Sequence, residues 1–299
     1  MPEPTARDVG EFALIAAVTA RLGTSDAVLV GPGDDAAVVR APDGRVVVTT
    51  DVLVEGVHFR RDWSSAYDIG RKAAAANLAD VAAMGGTATS LVVGLAAPPD
   101  LPVSWALGLA DGLRDEAALV GAVVVGGDTV SADQIVVSVT ALGTLDGREP
   151  VRRTGARPGE RVVLAGRLGW SSAGLRLLRS GSYDGPLVEA HRRPRPPYSL
   201  GPILAEAGAT AMCDVSDGLV ADLGHLCRAS GVGVDLSAAA LHDDAVDLQD
   251  VLSGGEDHAL VATLPGPIPA GCRVVGVVTT GSIVTLDGAP VTGGWTHFS

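Results

Sequence analysis

Several aspartates of this chain end apolar segments or interrupt them. Asp51 ends the apolar run VVVTTD, Asp80 lies within NLADVAAMGG, and Asp128 follows two glycines in VVVGGDTV. A buried, ionised carboxylate is costly unless a cation or a hydrogen-bond donor meets it. Because Mg²⁺ prefers oxygen ligands and glycine lets a backbone or ligand approach closely, these positions favour a divalent-cation site.

Each of these motifs also has a purely structural interpretation. Asp35 in GDDAAVV could simply make a turn, as could Asp128 in GGDT. Asp80 could be an exposed position on a tightly packed helix. Asp51 is harder to explain in this way, because the apolar stretches VVV and VLV flank it. We therefore expect a functional carboxylate at that position.

The second half of the chain also has aspartates beside apolar residues, in CDVSDGLVADLGHL, residues 213–226. Ser216 could cap a helix whose leucines face a core. That interpretation leaves Asp214 unexplained, because its carboxylate and that of Asp217 would repel each other unless a cation or a donor intervened. The segment GGEDHALVAT could be only a tight turn into a strand.

The elements that must position these acids follow from hydrophobic periodicity and from Gly, Pro and Asp breakers. The first half predicts helices at residues 11–23, 68–84 and 104–121, and Ser104 is a possible cap of the third. The first half predicts strands at residues 27–31, 36–40, 46–54, 90–95, 122–125 and 135–142. The second half predicts helices near 172–180 and at 217–230, and strands near 258–264, 273–278 and 282–286. Gly, Pro and charge concentrate around residues 146–160, so we expect domains at 1–150 and 151–299.

Composition narrows the function classes. The chain has 299 residues, of which 47% are hydrophobic, and a formal charge of −13, which argues against a nucleic-acid-binding surface. Lys72 is the only lysine and does not lie in a GKS or GKT sequence, so a P-loop is absent. The three cysteines form no CxxC pair. No stretch resembles a membrane span or a signal peptide, so we expect a cytoplasmic protein without membrane partners.

Taken in order, six motifs resemble the signature of the thiamine-monophosphate kinase family. They are GDDAAVV, TTDVLVEGVHF, KAAAANLADVAAMGG, GGDT, DVSDGLVADLGHL and GGED. The resemblance implies an α+β fold with two domains: an N-terminal α/β half with a mixed sheet that pairs across a homodimer, and a C-terminal α/β layered half. It also implies transfer of the γ-phosphoryl group of ATP to thiamine monophosphate, with Mg²⁺ as cofactor.

The resemblance assigns roles residue by residue. Positions that match the family's metal ligands are Asp35, Thr49, Thr50, Asp51, Asp80, Asp128, Asp214 and Asp217. Positions that match ATP contacts are Gly127, Asp128, Arg153 and Ser216. Positions that match contacts to the thiamine moiety are His58, Glu256 and Trp295. Two positions depart from the family pattern: His258 stands where a tyrosine is usual, and Pro197 where a basic residue is common.

A phosphate acceptor would need no general base, because a phosphate monoester is mostly dianionic at neutral pH. The main obstacle would be repulsion between two anionic ligands, which bound Mg²⁺ ions would offset. Two alternatives remain: another ATP-dependent synthetase of the wider superfamily similar to aminoimidazole ribonucleotide synthetase, or a non-catalytic metal-binding protein.

Overall fold

The computed structural model describes residues 3–31 and 37–295. The chain forms two compact units. The first unit runs to Val81 and continues from Ala88 to Thr144, and the second comprises Ala82–Thr87 and the described residues from Leu145 onward. Across the described ranges, no helix combines the length and the apolar character needed to cross a membrane.

The first half of the chain alternates helices and strands. Its helices are α1 Ala6–Val9, α2 Glu11–Thr19, α3 Ala66–Ala83 and α4 Val103–Ala118. Its strands are β1 Val28–Val30, β2 Val38–Val39, β3 Val47–Val54, β4 Thr87–Ala97, β5 Val123–Ser131 and β6 Val136–Thr144. Four of the strands form a mixed sheet in the order β3-β6-β4-β5, with β3 antiparallel to β6 and β4 parallel to β5.

The two faces of this sheet differ in exposure because side chains alternate along a strand. On β3, Val48 and Val52 are 63% and 46% exposed, whereas Leu53 is 5% exposed. The face that includes Leu53 also includes Thr49 and Asp51, and α3 lies against it at Thr49. The sheet therefore has one helix-covered face and one exposed face with apolar side chains.

Small residues let α3 and α4 approach each other backbone to backbone. A Cβ on Gly70 would lie 2.2 Å from the carbonyl oxygen of Leu109, and one on Gly112 would lie 2.1 Å from that of Tyr67. Neither position tolerates a side chain without separation of the helices. This close packing fixes α3, the helix of Asp80, against α4.

The second half of the chain contains the larger sheet. Its helices are α5 Trp170–Arg179, α6 Pro186–Arg192, α7 Leu200–Glu206, α8 Leu219–Ser230, α9 Ala238–Leu241 and α10 Leu248–Ser253. Its strands are β7 Arg161–Ala165, β8 Ala211–Val215, β9 Gly233–Leu236, β10 Ala259–Leu264, β11 Cys272–Thr279, β12 Val284–Leu286 and β13 Ala289–Pro290. These strands pair in the order β13-β12-β9-β11-β7-β10-β8. Every residue of β8 and β10 is buried, as expected for strands with both faces covered.

The predicted α+β class with two domains and a mixed N-terminal sheet is confirmed. Several local predictions are wrong. The helix predicted from residue 217 begins at Leu219 with Gly218 as its N-cap, so Ser216 is not the cap. Likewise α4 begins at Val103 after Pro102, and Ser104 lies inside it. Nothing in the sequence predicted β8, β9, α6, α7 or α10, because each is too short to establish a period. The predicted strand at 36–40 lies partly outside the described residues.

Candidate active site

The middle of β3 meets α3 through polar side chains. The hydroxyl of Thr49 donates to a carboxylate oxygen of Asp80 at 2.6 Å. The backbone N–H of Asp51 donates to Oδ1 of Asn77 at 3.1 Å, and the amide of Asn77 donates to the Ala73 carbonyl at 3.0 Å. Because β3 is an edge strand, Asn77 provides a partner to a backbone group that no neighbouring strand reaches. Asn77 is completely buried, and the sequence analysis did not include it among the site residues.

The structure thus brings Thr49, Asp51 and Asp80 to one face of the sheet. Thr50 lies on the exposed face, where its hydroxyl donates to the Val139 carbonyl at 3.0 Å. Asp128 lies on β5, the opposite edge strand, and accepts the Thr129 N–H at 2.8 Å. Three strand spacings of about 4.8 Å separate these edges, so the sheet itself does not bring Asp128 to Asp80.

Two further residues of the first unit have defined surroundings. A Cβ on Gly127 would lie 2.0 Å from the Val93 carbonyl oxygen, so glycine is required where β5 packs against β4. Nδ1 of His58 accepts the Val54 N–H at 3.0 Å in the turn that follows β3. Lys72, 5% exposed, donates to the His58 carbonyl at 3.1 Å and so holds this turn against α3.

In the second unit, Asp214 lies near the end of β8 and is 4% exposed. Nδ1 of His258 lies 3.1 Å from Oδ2 of Asp214, and His258 is itself buried. His258 has a φ of +53°, in the left-handed region that a non-glycine residue rarely adopts. The residue that departs from the family pattern is therefore the direct partner of a predicted metal ligand.

Asp222 is a buried carboxylate that the sequence pattern did not single out as a site residue. It accepts the backbone N–H groups of Asp217 at 3.0 Å and Gly218 at 3.2 Å, and so caps α8 from within the helix. Burial, followed by the charge of Asp214, raises the pKa of Asp222 to about 7, while the guanidinium of Arg153 acts in the opposite direction. Asp214, Asp222 and Arg153 therefore lie close enough for their charges to interact.

Three segments that are separate in sequence meet at this end of β8 through backbone hydrogen bonds and a close glycine contact. The N–H of Glu256 donates to the Ser216 carbonyl at 2.8 Å, and the N–H of Trp295 donates to the Asp217 carbonyl at 2.9 Å. A Cβ on Gly255 would lie 2.3 Å from the Ser216 carbonyl oxygen. Ser216, Asp217, Glu256 and Trp295 are thus neighbours, and Trp295 is 58% exposed.

A layer of buried polar groups supports Glu256. Nδ1 of His191 lies 3.0 Å from the Ser171 hydroxyl and 3.6 Å from a carboxylate oxygen of Glu256. The next residue, Asp257, accepts the N–H groups of Gly169 at 2.6 Å and Ser171 at 2.9 Å. Burial raises the pKa of Asp257 to about 6, although these two N–H groups lower it. No sequence pattern indicates a role for His191, because its partners Ser171 and Glu256 are distant along the chain.

Two groups of residues have oxygen donors that fit Mg²⁺: Thr49, Asp51 and Asp80 in the first unit, and Asp214 and Asp217 in the second. Carboxylate and hydroxyl oxygens are the ligands that a hard cation takes. Within residues 3–31 and 37–295, no three His, Cys, Asp or Glu side chains are close enough together to hold a metal ion. Asp214 and Asp217 belong to the second unit, whereas the other described metal-ligand candidates belong to the first. The predicted ligand Asp35 lies outside the described residues.

Comparison with known proteins identifies the family. Residues 33–145 match the family described as AIR synthase related protein, N-terminal domain, and residues 157–264 match AIR synthase related protein, C-terminal domain. A thiamine-monophosphate kinase from Mycobacterium tuberculosis is 51% identical over 311 residues, which cover 99% of this chain and 93% of that protein. The chain belongs to the thiamine-monophosphate kinase family. The family prediction is confirmed.

Solved structures of thiamine-monophosphate kinases are similar in fold. The enzyme from Stenotrophomonas maltophilia has a TM-score of 0.80 at 32% identity, and the match covers 94% of this chain and 98% of that one. A structure described as AaThiL complexed with AMPPCP and TMP also has a TM-score of 0.80, at 33% identity and 98% coverage of both chains. The prediction that this chain is an enzyme of the thiamine-monophosphate kinase type is confirmed by these relatives.

Proposed function

We propose that this chain transfers the γ-phosphoryl group of ATP to thiamine monophosphate, giving thiamine diphosphate and ADP. The observation that supports this function best is the 51% identity to a thiamine-monophosphate kinase over 99% of the chain. A second support is the similar structure described with AMPPCP, an ATP analogue, and TMP. The acceptor is already an anionic oxygen nucleophile at neutral pH, so no side chain has to remove a proton from it.

The protein's task is to position two anionic ligands. Bound Mg²⁺ would offset their mutual repulsion and stabilise charge on the leaving oxygen. The residues that would hold the several Mg²⁺ ions are Asp35, Thr49, Thr50, Asp51, Asp80, Asp128, Asp214 and Asp217. The hydrogen bond from Thr49 orients the Asp80 carboxylate, and Asn77 fixes the backbone of Asp51, so both acids are held before a ligand arrives.

The remaining roles are divided between the nucleotide and the acceptor. Gly127, Arg153 and Ser216 would contact ATP together with Asp128. Glu256 and Trp295 would hold the thiamine moiety together with His58. The contacts that place Glu256 beside Ser216, and Trp295 beside Asp217, support one continuous surface for both ligands in the second unit. Arg153 supports the nucleotide role, because its charge acts on Asp222 beside the same loop.

A homodimer is part of this proposal. The exposed face of the four-stranded sheet includes Val48, Val52, Val92 and Val130, which are 38% to 63% exposed. A second copy of this face would remove these side chains from water. Sedimentation of the wild type should give a dimer, and Val48→Asp should shift it to the monomer. A wild-type monomer at micromolar concentration would contradict the proposed dimer but not the proposed reaction.

The cytoplasmic location also stays a proposal, as do the roles of domains 1–150 and 151–299.

Phosphorus NMR tests the reaction directly. Incubation with Mg-ATP and thiamine monophosphate should produce the two resonances of a diphosphate ester and an equal amount of ADP. Chelation of the divalent cation with EDTA should stop the reaction, and thiamine without its phosphate should not replace the acceptor. ATP consumption without a diphosphate ester, or no consumption at all, would overturn the proposed function.

A further inference from the structure

The second unit has a cavity at the opposite end of β8 from Asp214. Its volume is about 430 Å³, and Thr210, the residue before β8, contributes to its lining. Four residues of a strand, at about 3.3 Å each, separate Thr210 from Asp214 along β8. The cavity is therefore distinct from the candidate active site. Its lining also includes Arg148, Arg152, Arg157, Val151, Ala205 and Ala209.

The cavity concentrates positive charge in an acidic protein. Three guanidinium groups line it against the one carboxylate of Glu149, whereas the whole chain has a formal charge of −13. Arg148 is engaged, because it donates to Glu206 at 3.1 Å. The side chains of Arg152 and Arg157 form no hydrogen bond or ion pair with any residue in the described part of the chain. Two guanidinium groups thus remain available to an incoming anion.

The surrounding chain explains how Arg152 comes to face the cavity. Residues 153 and 154 form a bend directly after Arg152. Arg152 and Thr154 line the cavity, whereas the charge of Arg153 acts on Asp222 at the candidate active site. The Arg152 carbonyl accepts the Met212 N–H at 2.9 Å, which fixes this segment beside β8. One short segment therefore directs neighbouring arginines to two different sites.

We propose that this cavity binds a phosphate monoester with a small apolar group, without a metal ion. A dianionic phosphate matches the charge of Arg152 and Arg157, and guanidinium groups suit the geometry of phosphate oxygens. The apolar side chains of Val151, Ala205 and Ala209 provide a wall for the organic part. A volume of about 430 Å³ lies within the usual range for small-molecule sites.

Calorimetric titration of the full-length protein with phenyl phosphate in EDTA tests this site. Removing divalent cations weakens phosphate binding at the aspartate-rich site but not at an arginine site, so the titration in EDTA reports binding at the arginine site. We expect the double variant Arg152→Gln, Arg157→Gln to bind at least about 100-fold more weakly, because two charge-assisted hydrogen bonds are lost. The matched control Arg7→Gln, Arg179→Gln changes the net charge equally at exposed positions and should bind as the wild type does.

A second variant keeps the charges and reduces the space. Ala209→Met should weaken phenyl phosphate binding by about tenfold or more and leave inorganic phosphate binding nearly unchanged, because only the organic part needs the wall. A titration with thiamine monophosphate in EDTA then tells whether the ligand of this cavity is the acceptor of the proposed reaction or another phosphate monoester. No binding of phenyl phosphate by the wild type, or equal binding by the double variant and its control, would overturn the proposal. Neither outcome depends on kinase activity.

Discussion

Gly255→Ala tests whether the contact between the GGED turn and the DVSDG loop builds the candidate active site. The new Cβ would lie 2.3 Å from the Ser216 carbonyl oxygen, whereas side-chain carbons in proteins stay at least 3.0 Å away. The turn must therefore move by about 1 Å. That movement would also lengthen the hydrogen bond from the Glu256 N–H to Ser216, which is 2.8 Å long.

Two energetic costs determine how much unfolding free energy Gly255→Ala loses. Overpacking costs about 1–3 kcal/mol, and a backbone N–H deprived of its partner costs about 1–3 kcal/mol more. The side chain of Glu256 is 33% exposed, so water can partly replace the lost bond and the second term lies at its lower end. We expect Gly255→Ala to lose about 2–4 kcal/mol of unfolding free energy and to lower kcat/KM for thiamine monophosphate by at least tenfold.

The assays are urea unfolding and steady-state kinetics, each compared with Gly266→Ala. A Cβ on Gly266 would meet its nearest atom, the Ala207 carbonyl oxygen, at 3.7 Å, an ordinary contact. The control should differ from the wild type by less than about 0.5 kcal/mol. Wild-type stability and wild-type kinetics in Gly255→Ala would refute the view that this close approach shapes the site.

Three further predictions concern charge and substrate contact. Asp51→Asn and Asp128→Asn should each abolish phosphoryl transfer with an unchanged melting temperature, because a lost ligand charge weakens metal binding rather than packing; full activity in either purified variant would remove that residue from the site. Trp295→Leu should raise KM for thiamine monophosphate with KM for ATP little changed, and an unchanged acceptor KM would exclude the ring from the pocket. The pKa of Asp257 lies at about 6, above its ordinary 3.8, so the stability that it contributes is fully present below pH 3.8 and is lost as pH rises through 6. The unfolding free energy of the wild type relative to Asp257→Asn should therefore fall by about 2 kcal/mol between pH 4 and pH 7, and a constant difference across this range would contradict the assignment.

The sequence predicted the elements that have a clear period or a strong breaker. The run of valines before Asp51 forms β3 as expected, and the alanine-rich segment with Asp80 forms α3. It did not predict β8, because AMCDV is short and has neither alternation nor a flanking turn signal next to Ala211. Boundaries also shifted where a side chain inside the helix replaced the expected cap, as Asp222 does for Ser216.

The candidate site was predictable in its residue types and not in its contacts. Acids beside apolar segments indicated Asp51 and Asp80, the family resemblance added Thr49, and the structure places the three on one face of the sheet. The partners Asn77 and His191 had no local signal, because their roles depend on a strand edge and on a helix pair distant in sequence. Hydrogen bonding between such remote positions is a property of the folded chain, which periodicity does not reveal.

The contact between Trp295 and the Asp217 carbonyl has a consequence for synthesis. The loop at Asp217 leaves the ribosome long before the segment at Trp295, and so does the GGED turn that packs against it. Contacts between positions so far apart in sequence form slowly and only once both segments are present. A nascent chain thus lacks this contact until the segment at Trp295 has left the ribosome, and a stop codon placed just ahead of that residue should yield a protein with its larger sheet formed but with the Trp295 side of the loop uncovered.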